Sequence, residues 1–321
     1  MLLLMVMQAP LRGALGDRNL AFSFETIHAG TLHDALYDIR SAGSRILAVG
    51  EHGLILESAD GGVTWRTRKA PTELALLGAD AVEEQSTVVV GQQGVIMRAA
   101  DGQDNWTSAT LEAGPRLFAV AFGRSGFGAA VGEFGALLVS RDGGLTWERP
   151  VLEWQRLAAL VQEPHLYDVS ITPGGEVLAV GEFGLVLRGQ EGGTRWSVQR
   201  TGTRSLFALH RSHSGDYWGV GQEGLVVRSR NAGESWEVQP FDTAETLIDI
   251  GTDANGIDLI LGEHRVYYRA DTHGAWRALQ DGIASRRYYA LEVGKDGSVY
   301  LAGAGAILQR MQISDPKVVS R

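Results

Sequence analysis

Arg116, Arg204 and the pair Arg286–Arg287 stand at matching places in this 321-residue sequence, each just ahead of a short apolar segment: R-L-F-A-V, R-S-L-F-A-L and R-R-Y-Y-A-L. A guanidinium is planar, permanently charged and able to grip two oxygens at once, so arginines gathered at one place suit carboxylate or phosphate recognition. The competing use is ion pairing inside the chain, with Glu51, Glu133, Glu182, Glu223 and Glu263, which recur within one glycine-centred phrase. Two of these glutamates precede a histidine, at Glu51-His52 and Glu263-His264, and His33 and His165 fall near the same apolar segments. Carboxylate and imidazole are zinc ligands. Here, however, the Glu-His pairs are the variable part of a recurring phrase, and the expectation is no metal and no cofactor. No G-x-S-x-G, H-E-x-x-H or P-loop run is present, so no residue is assigned a catalytic role.

The elements that must position these side chains are repeats. A glycine-centred phrase recurs seven times: V-G-E-H-G-L-I-L at Gly50, V-G-Q-Q-G-V-I-M at Gly91, V-G-E-F-G-A-L-L at Gly132, V-G-E-F-G-L-V-L at Gly181, V-G-Q-E-G-L-V-V at Gly221, and worn copies at Gly262 and Gly303. The lead glycines are 41, 41, 49, 40, 41 and 41 residues apart. A fixed period of this length with short strand patterns inside each unit is the signature of a β-propeller. The expectation is an all-β, seven-bladed propeller with four-stranded antiparallel blades over residues 21–312, flanked by an apolar N-terminal tail or signal remnant (1–20) and a C-terminal tail (313–321).

The first copy shows the pattern. Leu36–Ile39 reads as the inner strand, Arg45–Gly50 as the second, Gly53–Ser58 as the third and Trp65–Lys69 as the outer one. The second and third strands are continuous apolar runs, as strands packed on both faces should be. The glycines of G-x-x-G are expected to form a tight turn with one residue at positive φ. The third-to-outer turn reads S-A-D-G-G-V-T-W at Ser58–Trp65, S-R-D-G-G-L-T-W at Ser140–Trp147 and S-R-N-A-G-E-S-W at Ser229–Trp236. Asp60, Trp65, Asp142, Trp147, Asn231 and Trp236 are therefore assigned to the scaffold, the acid or amide accepting backbone N–H groups and the indole packing into the blade. The seventh copy lacks an outer strand. Ala21–Ile27 alternates apolar and polar residues, and it is expected to pair with Ala306–Met311 and close the ring.

In such a ring the G-x-x-G turns and the entries to the inner strands share one face, opposite the S-x-D-G-G-x-T-W turns. One mouth of the central channel then carries Arg116, Arg204, Arg286 and Arg287 together with His52, Phe134, Phe183 and His264. The 49-residue interval marks an insertion, E-W-Q-R-L-A-A-L-V-Q, that reads as a helix on the same face. Its Trp154 either packs down on the propeller or meets a partner.

Bulk properties limit the partners. The formal net charge of −9 argues against salt-driven nucleic-acid binding. The absence of cysteine removes disulfides and thiolate sites, and it suits export through an oxidising space without excluding a cytoplasmic setting. No apolar segment is long enough to span a bilayer, and the chain is expected to be monomeric on its own.

The S-x-D-x-G-x-T-W turns resemble the Asp-box (BNR) repeat. Sialidases also carry this repeat, so a glycan-binding or glycan-hydrolysing propeller is the alternative, although the R-I-P type sialidase signature is missing and those enzymes have six blades. Seven V-G-x-x-G units joined to these turns resemble the photosystem II assembly and stability factor family over roughly residues 32–310. The resemblance implies a non-enzymatic scaffold that binds a membrane-protein subunit through an arginine patch, for which Arg116, Arg204, Arg286 and Arg287 are the candidates. Relatives in bacteria without photosynthesis are often encoded beside RND-type exporters, which implies a periplasmic accessory role and an RND-family transporter as a partner.

Overall fold

Each glycine phrase joins the second and third strands of one small antiparallel sheet, and seven such sheets stand around a central axis. The computed structural model describes residues 20–82, 86–100, 104–111, 114–160, 162–270, 274–279 and 286–314. The apolar N-terminal residues 1–19 and the tail after Ser314 lie outside this set. The inner strands are Leu36–Ala42, Leu76–Val82, Leu117–Phe122, Leu166–Ile171, Leu206–Arg211, Leu247–Thr252 and Tyr288–Val293. The second strands, such as Arg45–Gly50 and Val177–Gly181, are buried along their whole length. Their continuous apolar runs follow from that, because neighbouring blades cover both faces. Leu47, Val49 and Ile55 of the first blade, for example, pack against Leu76, Ala79 and Val89 of the second. Among the described residues no helix is long and apolar enough to cross a membrane.

The ring closes as the alternation in the N-terminal segment requires. Ala21–His28 pairs antiparallel with Ile307–Ser314, with Phe24 opposite Met311 and Ala21 opposite Ser314. Phe22 and Phe24 cover the cluster of Leu259, Leu301 and Met311. The last strand thus runs two residues past 312, the boundary expected from the sequence.

Six sheets have four strands and the third has three. Its outer strand is reduced to a single bridge, Val139 with Glu148. Pro150 follows two residues later and has no N–H with which to continue the ladder. The insertion then forms a five-residue helix, Trp154–Ala158, ended by Ala159 in the left-handed conformation.

The two glycines of G-x-x-G have different reasons for being glycine. The first is extended, not left-handed: at Gly132 a Cβ would lie 2.0 Å from the Arg116 carbonyl oxygen. The turn is pressed onto the entry of its own inner strand, and only glycine allows that approach. The second has positive φ, as does the residue before it (Gly53 +69°, His52 +54°). On the opposite face, the Asp60 carboxylate accepts from the Thr64 N–H (2.8 Å) and hydroxyl (2.6 Å), and the Trp65 indole N–H donates to the Gly62 carbonyl (3.1 Å). Asp142 with Thr146 and Trp147, and Asn231 with Ser235 and Trp236, repeat the arrangement. Gly61 and Gly143 donate to Ser44 and Gly126 in the first-to-second turns, so these turns do lie away from the G-x-x-G mouth.

Candidate partner-binding face and central channel

The G-x-x-G turns and the inner-strand entries meet directly, which places the predicted residues on one mouth. Glu51, Gln92, Glu133, Glu182 and Gln222 donate their backbone N–H groups to the carbonyls of Ala35, Ala75, Arg116, His165 and Ser205. Their side chains mostly turn back to the same entries: Glu133 accepts from the Arg116 N–H (2.9 Å), Glu182 from His165 N–H (2.8 Å) and Gln222 from Ser205 N–H (2.8 Å). Glu51 accepts from the Tyr37 hydroxyl at 2.5 Å. The recurring acid or amide therefore caps strand entries and does not neutralise the arginines.

The arginines are left without carboxylate partners. Arg116, Arg286 and Arg287 are exposed, and Arg204 is half-buried with its guanidinium donating to the Glu223 carbonyl oxygen at 2.9 Å. Among the described residues none of the four forms an ion pair. They sit on the third, fifth and seventh blades, spread around the mouth and not massed at one point. Phe134 and Phe183, in the left-handed positions of their turns, are 61% and 40% exposed. His52 and His264 are exposed on the first and sixth blades. Trp154 does not join this surface. It is 6% exposed and packs with Leu137, Leu166 and Leu185, its indole lying where a Cβ on Gly135 would clash. That removes it from the residues a partner can touch, because the missing Cβ of Gly135 leaves the indole a slot. Among the described residues no group of three or more His, Asp or Glu side chains is arranged to hold a metal ion.

Just inside the mouth, the second residue of every inner strand faces the channel: Tyr37, Leu77, Phe118, Tyr167, Phe207, Ile248 and Tyr289, all half-buried. Neighbouring rings pack across blade boundaries, Phe118 with Tyr167 at 5.7 Å, Tyr167 with Phe207 at 5.0 Å and Tyr37 with Tyr289 at 5.8 Å between centroids. Such offset and edge-on contacts suit the ring quadrupoles. The aromatic surface continues outward through His165, which lies 4.8 Å from Phe134 and accepts its backbone N–H at 3.0 Å. The collar encloses a cavity of about 450 Å³.

Below the collar the lining becomes ionic. Arg40 reaches across the channel from the first blade to the fourth, its Nη2 donating to Asp168 Oδ1 at 3.2 Å while its Nε lies 3.2 Å from Asp38 Oδ1. Asp38, Asp80, Asp168 and Asp249 each accept the backbone N–H of the next blade's inner strand, from Ala79, Phe122, Leu209 and Leu291 at 2.7–3.0 Å. These carboxylates stitch blade to blade. Five acids, with Glu292 the fifth, face a single guanidinium in a desolvated space. Burial pushes the carboxyl of Asp80 up to about 6, of Asp249 to about 7 and of Glu292 to about 8. The Asp38 charge holds Arg40 well above its usual value. His210, bonded to Thr252 at 3.1 Å, is lowered to about 4 by burial, with His213 and Arg40 adding to the effect. Neither the collar nor this floor is among the residues picked out from sequence. The signals are Asp38, Asp168 and Asp249 at the third inner-strand position and the aromatics at the second.

The comparisons with known proteins agree with this architecture. The family described as "Photosynthesis system II assembly factor YCF48" matches residues 23–114 and 109–317. Among solved structures, YCF48 from Cyanidioschyzon merolae is 19% identical, with 89% of this chain and 98% of that one covered and a TM-score of 0.71. A structure of YCF48 bound to D1 peptide is 17% identical over 90% and 96% of the two chains, TM-score 0.69. A streptogramin B lyase structure is 12% identical over 91% and 98%, TM-score 0.78, a likeness of fold. No curated protein matches the sequence. The family match spans the described ring from its closing strand to its last, and the chain belongs to the YCF48 family of photosynthesis system II assembly factors.

Proposed function

We propose that this chain is a non-enzymatic assembly or accessory factor that holds a segment of a membrane protein against the G-x-x-G mouth of the propeller. The observation that carries the reading is the set of four arginines on that mouth, none ion-paired among the described residues, beside the exposed Phe134 and Phe183. Unpaired guanidinium groups and exposed aromatics at one face are what a protein-binding surface presents. The D1 peptide bound by a YCF48 relative supports a membrane-protein partner as the class. The working site is the periplasmic side of a membrane, and an RND-type transporter is the partner class to test first.

The test is affinity capture from gently solubilised membranes with the wild-type chain and with an Arg116→Ala/Arg204→Ala/Arg287→Ala variant. A membrane protein retained by the first and lost by the second is the expected result. Equal retention, or none, overturns the reading, as does turnover of a fluorogenic sialoside. A carboxy-terminal alkaline phosphatase fusion, active only where its disulfides form, tests the compartment. Phosphatase activity in intact cells is expected, and an inactive fusion contradicts a periplasmic location.

A further inference from the structure

Arginines on the rim explain how charge is recognised but leave the aromatic collar without a task. We propose that the collar is a blind socket for one apolar side chain of the partner segment, with acidic residues of that segment flanking it on the rim. The inference rests on the mouth being the partner face and adds what the partner must look like.

Preformed walls are the first argument. Tyr37 stacks on Tyr289 at 5.8 Å, Tyr167 packs between Phe118 and Phe207 at 5.7 and 5.0 Å, and the Tyr37 hydroxyl is drawn up to Glu51 at the rim, leaving its ring to line the hole. A cavity of about 450 Å³ with apolar walls is in the range of sites that take a bound group. The second argument is the floor. Arg40, bridging Asp38 and Asp168, closes the channel beneath the collar, so an entering side chain meets a stop.

The third argument separates an apolar occupant from a cation. Aromatic walls over carboxylates would suit an ammonium group, but the oxygens of the acids bordering the cavity are already engaged. Asp168 accepts from Arg40 and from the Val169 and Leu209 N–H groups, and Asp249 accepts from the Ile250 and Leu291 N–H groups. Asp38 holds Arg40 and the Ala79 N–H. Each of these oxygens already has a partner, and the Arg40 guanidinium beside them disfavours a second cation. The unpaired rim arginines in turn favour acidic flanks. Phe134 and His165 extend the aromatic surface from the rim to Phe118 and Tyr167, which offers a path for the chain on either side of the anchor.

Labelled acidic peptides that differ only in one central residue (phenylalanine, leucine, serine or lysine) test the socket by fluorescence anisotropy. The phenylalanine and leucine peptides are expected to bind about ten- to a hundredfold tighter than the serine and lysine ones. Phe207→Ser should erase that difference. Since Phe207 is only half-buried, its loss should leave the fold intact, and Leu77→Arg, which places a charge in the collar, should have the same effect. Arg116→Ala and Arg287→Ala should weaken all four peptides alike and keep their ranking. Equal affinities across the four peptides, tighter binding of the lysine peptide, or no binding by any of them overturns the socket. The membrane-capture result stands apart from all three, so the broader partner-binding reading survives or fails on its own.

Discussion

Two levels of the central channel are built by the same inner strands, within a few residues of each other, and they have opposite chemistry. At the mouth the strands present aromatic and aliphatic side chains under a rim of arginines that pair with no acid among the described residues. At the floor they present five acids around Arg40, four of which accept a backbone N–H from the neighbouring blade. A surface whose polar groups are already satisfied contributes to cohesion. One whose charges lack partners is available for binding. The division assigns stability to Arg40 and its acids, and recognition to the collar and rim.

The largest effect should come from removing Arg40, the guanidinium that bridges the floor's acids. Arg40→Ala leaves Asp38 and Asp168 buried without a counter-charge, and urea unfolding should show a loss of about 3–5 kcal/mol. If it is no more destabilising than a rim substitution, the assignment of stability to the floor fails.

A smaller effect of known sign follows from pH. Asp249 and Glu292 hold their protons in the folded chain up to about 7 and 8, whereas in the unfolded chain they release them near the ordinary values of 3.8 and 4.5. Between those limits the folded state binds more protons than the unfolded one, so stability falls as pH rises. His210 acts in the opposite sense, but only below its ordinary value of 6.5, where the unfolded imidazole takes up a proton that the folded one refuses until about 4. From pH 6.5 to 8 the acids act without that opposition. Thermal unfolding should show a decline on the order of 1–3 kcal/mol across that interval, and Glu292→Gln should flatten it.

On the far face, Asp142→Ala removes an acceptor for the Leu145 and Thr146 N–H groups and for two hydroxyls. About 1–3 kcal/mol of stability should be lost, with partner capture unchanged. The smallest change in stability is expected at the rim, where Arg116→Ala or Arg287→Ala should stay within about 0.5 kcal/mol by the same unfolding measurement while partner capture drops. A rim variant that unfolds early would show that these arginines belong to the scaffold.

What could be read from the sequence was whatever repeats within one blade. Blade number, strand positions and the S-x-D-G-G-x-T-W turn follow from a period that acts on neighbouring residues, and the closing strand from its own alternation and the outer strand missing from the seventh copy. The channel was not legible because its contacts join different blades: Arg40 with Asp168, and Asp249 with the Leu291 N–H. In a single copy Tyr37 or Phe118 is one more apolar strand residue, and only the ring turns them toward each other. The reason for the first glycine of the phrase was hidden on related grounds. Its Cβ would strike the carbonyl before its own inner strand, a contact that no turn type predicts. The sequence left Trp154 either packed on the propeller or facing a partner, because the slot that decides it is provided by the hydrogen on Gly135, in another segment.

Closure by the first strand also imposes an order in time. A ribosome delivers Ala21–His28 before the other strands of the ring and its partner Ile307–Ser314 after them, so a strand carrying Phe22 and Phe24 must wait, edge open, while every blade between them is made. An open solenoid that loses an end repeat keeps the rest of its stack. A chain of this kind cut short before Ile307 has no shorter ring to fall back on and is left with two raw sheet edges of the sort that template aggregation. Ala21–His28 therefore stays without its partner until Ile307–Ser314 has been made.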